Sequence, residues 1–310
     1  MENSINNNFP LEIKRVESKT AEELMKYFTG EHTGFVRVGP KGYFMPHKYT
    51  QQASNIYNME VRPSDIFVTS YPRSVFVHPV MMKRFQEENS DSERKIKLLE
   101  WVTQPATEQL ALMTKRRFIK SHLPLSLLPP NLLDTAKVVY VARDPRDVAV
   151  SFYHLNRAMR TQGYIDDFKK YWKFFISDLH HWTPYFEHLK ESWEKRHHPN
   201  LLFLFYEELS KDLPAAVRRV ADFLGKSFTK EQIVKLCEHL SIDNFKNNKS
   251  VNYDVMKELG ILISDGQSFI RKGKAGGWRD YFDEEMEQEA EKWMEKNLRD
   301  TDLRFPHLKQ

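Results

Sequence analysis

Arginine and serine side chains flank a predicted strand-to-helix turn in the middle of the chain, and together they favour phosphate binding. The run Val138–Val141 is β-branched and aromatic, which predicts a strand buried on both faces, as in a parallel sheet. Asp144 and Pro145 have the residue types of a helix N-cap and first turn. Arg143 leaves the strand and Ser151 lies on the helix, so a guanidinium, a hydroxyl and a helix N-terminus converge. Spacing alone leaves an ordinary charged surface turn open.

Short apolar runs predict the strands that must position such a site. Three further stretches each begin with a short apolar run that predicts a strand leading into a turn or helix, and they are Asp65–Ser74, Phe118–Pro124 and Leu201–Leu209. Apolar residues at helical spacing predict helices within 79–117, 164–198, 214–240 and 283–298. Strands that alternate with helices indicate a single-domain α/β fold, with a central parallel sheet flanked by helices and a ligand at the carboxyl ends of the strands.

The sequence around this turn resembles a known enzyme family. The stretch Tyr140–His154 is similar to the 3′-phosphate-binding segment of the cytosolic sulfotransferases. These enzymes use 3′-phosphoadenosine 5′-phosphosulfate (PAPS) as co-substrate. Because other segments match in the same order, the resemblance covers most of the chain and implies a P-loop-like nucleotide-binding core. It also implies that Arg143 and Ser151 bind the 3′-phosphate.

Two further segments carry the resemblance. Lys120-Ser-His122-Leu-Pro is similar to the family's catalytic segment, which implies that His122 is the general base and that Lys120 neutralises charge on the bridging oxygen. A histidine after a strand can also be purely structural. Phe269–Trp278 resembles the family's Arg-Lys-Gly motif. The resemblance implies that Arg271, Lys272 and Gly273 close on the 3′-phosphate, and that Tyr206 and Ser241 lie near the nucleotide. Tyr206 can equally be a core tyrosine with a satisfied hydroxyl.

One segment departs from the family pattern. Tyr71-Pro-Arg-Ser74 matches the start of the 5′-phosphosulfate loop, which implies that Arg73 and Ser74 bind the nucleotide. The family then continues Gly-Thr-Thr-Trp into a helix, whereas this chain continues Val75-Phe-Val-His78. Valine cannot replace glycine where positive φ is needed, and phenylalanine and valine bring no hydroxyls. We interpret the junction after Ser74 as the site of a deletion, with a diverged loop as the alternative.

Composition limits the other function classes. The chain has 310 residues, 40% of them hydrophobic, which suffices for one large core, and we predict one domain over 1–310 with residues 1–10 disordered. A net charge of +4 does not favour nucleic acid as a partner. Cys237 is the single cysteine, the N-terminus has no apolar signal region, and no apolar run reaches membrane-spanning length. We therefore predict a cytoplasmic protein without a membrane partner.

The predicted function is sulfonate transfer from PAPS to the hydroxyl of a small phenolic, steroid-like or other alcohol acceptor. The alternative is an impaired member or splice form that binds the 3′-phosphate but transfers poorly. A P-loop kinase is disfavoured because Ser74-Val75 provides no Gly-Lys-Ser/Thr ending. No metal is expected. The family's dimer motif is not matched at Arg279 and Gln288, so the oligomeric state stays open.

Overall fold

The computed structural model describes residues 9–74, 106–241, 244, 257, 259–263 and 275–306. Its strands, in chain order, are β1 (Ile13–Arg15), β2 (Phe35–Val38), β3 (Tyr43–Pro46), β4 (Ile66–Thr69), β5 (Phe118–Ser121), β6 (Lys137–Ala142) and β7 (Leu201–Phe205). Its α-helices are α1 (Ser18–Tyr27), α2 (Ala53–Tyr57), α3 (Ala106–Leu112), α4 (Leu132–Thr135), α5 (Pro145–Ala158), α6 (Phe168–Ile176), α7 (Tyr185–Glu194), α8 (Tyr206–Lys211), α9 (Leu213–Phe223), α10 (Lys230–His239) and α11 (Glu284–Leu298).

The central sheet has four parallel strands in the order β5-β4-β6-β7. Both faces of β6 are buried, because Val138 and Tyr140 join the main hydrophobic core while Val139 and Val141 pack in a second cluster with Leu204. This confirms the predicted single α/β domain with a parallel sheet between helices. In a parallel sheet all carboxyl ends share one edge, so the turns after β4, β5 and β6 meet there.

A second, antiparallel sheet of β1, β2 and β3 precedes the central one. A turn follows β2, and Gly39 there has a φ of 71°. This sheet is joined to the segment before α7 by paired main-chain bonds. Phe44 N–H donates to Thr183 O at 2.8 Å, and Trp182 N–H donates to Phe44 O at 2.8 Å. Phe44 is 1% exposed and belongs to the main hydrophobic core.

Two predicted helical regions are not helical over all of their described residues. The stretch 214–240 forms two helices, because the chain turns at Gly225 with a φ of 66° and restarts at a capping box between Thr229 and Gln232. In the predicted helical region 79–117, α3 ends at Leu112 before β5. Residues 79–105 lie outside the described part.

The amino ends of β4 and β5 are joined by a buried ion pair. Arg117 Nε donates to Asp65 Oδ1 at 2.8 Å, and another guanidinium nitrogen donates to Glu60 O at 2.8 Å. Bidentate pairing and main-chain bonds satisfy the buried guanidinium, which fixes the register of the two strands. Among the described helices, none combines the length and apolar character that a membrane crossing requires.

Candidate active site

The predicted site residues come from the carboxyl ends of three neighbouring strands. Arg73 and Ser74 follow β4, Lys120 lies in β5 and His122 directly after it, and Arg143 follows β6. Since β4 lies between β5 and β6, its loop is at the centre of this group. The strand order thus brings together residues that are up to 70 positions apart, as in the bond between Arg143 and Arg73.

Arg73 connects the loop after β4 with α5. Its backbone has a φ of 69°, in the left-handed region that non-glycine residues rarely adopt. Arg143 Nη1 donates to the Arg73 carbonyl oxygen at 2.8 Å, and Arg73 Nε donates to Ser151 Oγ at 2.9 Å. Three residues that the sequence assigned to nucleotide binding are therefore in direct contact.

Arg143 is held in place from several sides. Its guanidinium carbon lies 4.1 Å from the ring centre of Tyr206, a cation–π distance, and the side chain is 8% exposed. The Tyr185 hydroxyl donates to the carbonyl oxygen of Arg143. Glu207 accepts from the next main-chain N–H, that of Asp144, at 2.8 Å. A buried, oriented guanidinium is the form of cation that recognises a phosphate with specificity.

Helix α5 starts as the sequence predicted. Asp144 is the N-cap, its side chain accepts from the N–H of Arg146 at 2.8 Å, and Pro145 occupies the first turn. Ser151 lies on the same helix and is half-buried. A capped helix N-terminus beside Arg143 adds the positive end of the helix dipole to this region.

His122 has the tautomer that a base requires. Its Nδ1 lies 2.9 Å from the carbonyl oxygen of Ser70. A carbonyl only accepts, so Nδ1 carries the proton and Nε2 is left as the atom that can take one. Burial, followed by the Lys120 ammonium, holds the pKa of His122 well below its usual range, so the ring is neutral near pH 7.

The Lys120 ammonium lies in the same charged neighbourhood. Burial, and next the guanidinium of Arg73, lower the pKa of Lys120 to about 8. Two cations held close together destabilise each other, and an anion between them would relieve the repulsion. Lys120 and Arg73 therefore favour an anionic ligand at the strand ends.

Buried hydroxyl groups also fit an anion at this place. Ser70 and Ser74 are fully buried, and neither Oγ has a hydrogen-bond partner in the described part of the chain. Unsatisfied buried hydroxyls are uncommon because each costs free energy unless a donor or acceptor meets it. Phosphate or sulfonate oxygens accept such bonds, so the residues present fit an anionic nucleotide end.

The chain beyond the Arg-Lys-Gly motif is fastened to the start of α5. Asp147 Oδ2 accepts from Gly276 N–H at 2.6 Å, and Asp147 Oδ1 accepts from Trp278 N–H at 3.0 Å. The guanidinium carbon of Arg146 lies 3.9 Å from the ring centre of Trp278. Arg271, Lys272 and Gly273 themselves lie outside the described residues, so their assignment stays a prediction.

Ser241 is not connected to this cluster by the bonds that it makes. Its N–H donates to Glu238 O at 3.1 Å, and its Oγ accepts from Asn244 N–H at 3.4 Å, both at the end of α10. Its role near the nucleotide stays a prediction.

Sequence reasoning missed several residues that hold the site. Glu207 and Asp147 bind main-chain amides, and His188 lies behind His122 with its Nε2 3.0 Å from the His122 carbonyl oxygen. Apolar periodicity gives no indication of such contacts. Only the adjacency of Glu207 to Tyr206, at a strand-to-helix turn, could have drawn attention to it.

Comparison with known protein sequences identifies the family. The family described as "Sulfotransferase domain" matches residues 63–302. Luciferin sulfotransferase of Photinus pyralis is 31% identical over 296 residues, covering 85% of this chain and 80% of the relative. Sulfotransferase 1E1 of Bos taurus is 29% identical over 275 residues, covering 84% of this chain and 92% of the relative.

Solved structures agree with this result over almost the whole chain. Retinol dehydratase in complex with androsterone and inactive cofactor PAP is 45% identical, with a TM-score of 0.86 and coverage of 97% of this chain and 100% of that one. Retinol dehydratase in a complex with retinol and PAP is 46% identical, with a TM-score of 0.85 and coverage of 96% and 100%. By its sequence, its fold and the arrangement of its strand-end residues, the chain belongs to the sulfotransferase family.

Proposed function

We propose that this protein binds PAPS and transfers its sulfonate group to the hydroxyl of a small, largely apolar alcohol, phenol or steroid-like acceptor. The observation that carries the proposal is the cluster of Arg73, Arg143 and Ser151 together with His122, whose Nδ1 lies on the carbonyl oxygen of Ser70. This arrangement combines an anion site with a base at one edge of the sheet. A cytoplasmic location and a single domain over 1–310 remain predictions.

The part of the site that is proposed to bind PAPS is better defined than the part proposed to bind the acceptor. Arg143 and Ser151 bind the 3′-phosphate in this proposal, with Tyr206 beside Arg143 near the adenine. Gly276, three residues after Gly273 in the chain, donates its N–H to Asp147 at the start of α5. Arg271 and Lys272 are proposed to complete the clamp from there.

The proposed chemistry assigns one step to each remaining group. PAPS supplies a sulfonate whose bond to the 5′-phosphate oxygen breaks as the acceptor oxygen attacks sulfur in line. His122 Nε2 takes the acceptor's hydroxyl proton, and its Nδ1–H stays on Ser70 O. Arg73 and Lys120 stabilise the negative charge that leaves with the phosphate. The anionic nucleotide also raises the pKa of His122, which makes the ring a stronger base when the donor is bound.

The acceptor class is proposed from the relatives. The two retinol dehydratase structures are complexes with androsterone and with retinol, and each of these molecules is an alcohol with a large apolar skeleton. The described residues near His122 include Trp182, whose ring centre is 6.0 Å away, and Phe152, which is 5.9 Å from Trp182. An aromatic wall beside the base suits an apolar acceptor.

The second candidate function is an impaired member that binds the nucleotide and transfers poorly. It is favoured by Val75, Phe76 and Val77, which replace the glycine and threonines of the phosphosulfate loop. These residues lie outside the described part, so deletion and divergence both remain open as explanations.

The test is sulfonate transfer from PAPS labelled in its sulfonate to retinol, androsterone and phenol, each measured as sulfated product. His122→Ala is expected to remove most product, since general base catalysis contributes roughly 10²–10⁴-fold. Sulfated product that is equally abundant in His122→Ala would contradict the proposed base. Failure of the chain to bind PAPS at all would contradict both candidate functions.

A further inference from the structure

A fully buried histidine on α7 lies directly behind His122. His188 Nε2 is 3.0 Å from the main-chain carbonyl oxygen of His122. Burial lowers the pKa of His188, so its ring is neutral near pH 7. A carbonyl oxygen only accepts, and therefore the single ring proton of His188 lies on Nε2 and is donated to His122 O.

The other ring nitrogen of His188 is also occupied. The Tyr140 hydroxyl lies 2.8 Å from His188 Nδ1 and 3.3 Å from the carbonyl oxygen of His188. Because Nδ1 carries no proton, it accepts from the Tyr140 hydroxyl. The ring is thus fixed at both ends, between the strand β6 that leads to Arg143 and the residue that follows β5.

His122 is consequently anchored at two points. Its ring is held through Nδ1 on Ser70 O, and its main chain is held by His188. We propose that His188 is a positioning residue for sulfonate transfer, which keeps the His122 main chain where the ring donates from Nδ1 and leaves Nε2 unprotonated. This inference rests on the proposed function, in which His122 is the base.

Another buried histidine shows that these bonds are not a requirement of burial. His180 is 1% exposed, and neither ring nitrogen has a hydrogen-bond partner in the described part of the chain. Its ring packs instead against Phe152 and Tyr171, with ring centres 4.7 Å and 4.8 Å away. His180 therefore offers a matched control for the loss of a buried imidazole.

The test compares two amide replacements of different length in the full chain. In His188→Gln the amide nitrogen reaches the position of Nε2 and can still donate to His122 O. In His188→Asn the shorter amide reaches only the position of Nδ1, so the Tyr140 contact is kept and the His122 contact is lost. His180→Leu is the control, and thermal unfolding checks each variant for folding. His188→Met replaces the Asn variant if that one does not fold.

The first measurement is the tautomer of His122 by nitrogen-15 NMR of histidine-labelled protein, with its signals identified by their loss in His122→Ala. We expect the Nδ1–H form in the parent, in His188→Gln and in His180→Leu. His188→Asn is expected to give a mixture of both tautomers. An unchanged Nδ1–H signal in a folded Asn or Met variant would overturn the proposal.

The second measurement is the turnover number, kcat, of sulfonate transfer from PAPS by the full chain. His188→Asn is expected to lower kcat about tenfold or more, because small misplacements of a reacting group have large effects, while KM for PAPS stays within about twofold. His188→Gln is expected to restore most of kcat. An Asn variant with the parent's kcat would overturn the positioning role.

The two measurements separate this inference from the proposed function. The tautomer is observed without turnover, so a changed tautomer in a protein that transfers no sulfonate supports the positioning of His122 and counts against the proposed reaction. Turnover that depends on His122 but not on His188 supports the proposed reaction and counts against the positioning role of His188.

Discussion

Arg73 and Ser151 are 78 residues apart and joined by a hydrogen bond of 2.9 Å between Nε and Oγ. The bond links the loop after β4, where the 5′ end of the nucleotide is proposed to lie, with the helix proposed to bind the 3′-phosphate. It orients the Arg73 guanidinium, whose backbone already has the unusual φ of 69°. The hydrogen bond therefore joins the two halves of the proposed donor site.

Ser151→Ala is expected to weaken binding of adenosine 3′,5′-bisphosphate about tenfold, because a hydrogen bond to a charged group contributes roughly 1.5–3 kcal/mol. Isothermal titration calorimetry measures the change. Ser192→Ala is the matched control, since Ser192 is a buried helical serine whose Oγ has no hydrogen-bond partner in the described residues. An equal loss in both variants would show that Ser151 acts only through packing.

Arg143→Met is expected to remove the preference for a 3′-phosphate. The parent should bind adenosine 3′,5′-bisphosphate more tightly than adenosine 5′-phosphate, and binding should raise the unfolding temperature. The variant should bind both nucleotides about equally. Arg196→Met is the control, because Arg196 also lies over an aromatic ring, 4.3 Å from the centre of Trp193. If the parent does not discriminate between the nucleotides, the clamp assignment is wrong.

Nucleotide affinity should also depend on the charge of Lys120. The pKa of Lys120 is lowered to about 8, so the side chain is cationic below that pH and neutral above it. Affinity for adenosine 3′,5′-bisphosphate is therefore expected to fall roughly tenfold between pH 7 and pH 9, the effect of losing one favourable charge interaction. Lys120→Met should make the affinity nearly independent of pH over this range. The control is Lys170→Met, because Lys170 lies near the rings of Tyr27 and Phe174, and this variant should show the same fall in affinity as the parent.

Asp178 should make the protein less stable as the pH rises. Burial raises the pKa of its carboxyl from 3.8 to about 6. The folded state binds the proton more tightly than the unfolded state, so the free energy of unfolding falls as the pH rises from about 4 through about 6. Asp178→Asn removes this pH-dependent loss of stability, and asparagine tolerates the φ of 56° at this position.

We expect Asp178→Asn to stabilise the fold by on the order of 1–2 kcal/mol at pH 7.5, and by little at pH 4. Urea unfolding at both values measures the difference. Equal stabilisation at both pH values would mean that the effect comes from the backbone and not from the carboxyl.

Local signals were the reliable part of the sequence. The β-branched run of β6, and Asp144 and Pro145 at the start of α5, predicted structure that depends on neighbours in the chain, and both are confirmed. The break in 214–240 was not predicted, although the capping-box spacing of Thr229 and Gln232 could have indicated it. The antiparallel sheet was not predicted, and the short β1 in particular gives little periodic signal.

The partners of the site were beyond the reach of sequence reasoning. Arg73, Arg143 and Ser151 were assigned to one ligand through family resemblance, and the structure shows that they touch. The contacts of His188 with His122 and Tyr140 span 66 and 48 residues. Such contacts depend on strand order and on the docking of α7, which a single sequence does not encode in any periodic pattern.

The junction after Ser74 should decide whether the chain transfers sulfonate efficiently. Directed amides and hydroxyls around the phosphosulfate stabilise charge as the sulfur–oxygen bond breaks, and losing one such donor typically costs on the order of 10²–10³-fold in rate. The chain lacks the loop's glycine and both threonines, while Arg73 supplies charge without replacing several directed donors. Transfer from PAPS to a simple phenol is therefore expected to be very slow, although affinity for the 3′-phosphate end is kept.

Inserting Gly-Thr-Thr-Trp and a following helix between Ser74 and Val75 is expected to restore turnover by at least about a hundredfold, since several directed donors return together. The matched control inserts the same helix after Gly-Ala-Ala-Trp, which restores length and glycine without the hydroxyls. Because its main-chain amides are also restored, this control should recover part of the rate. Intact-mass measurement of the natural protein shows whether residues are missing after Ser74. Rapid turnover by the uninserted chain would contradict the deletion, unless the mass shows that the residues are present.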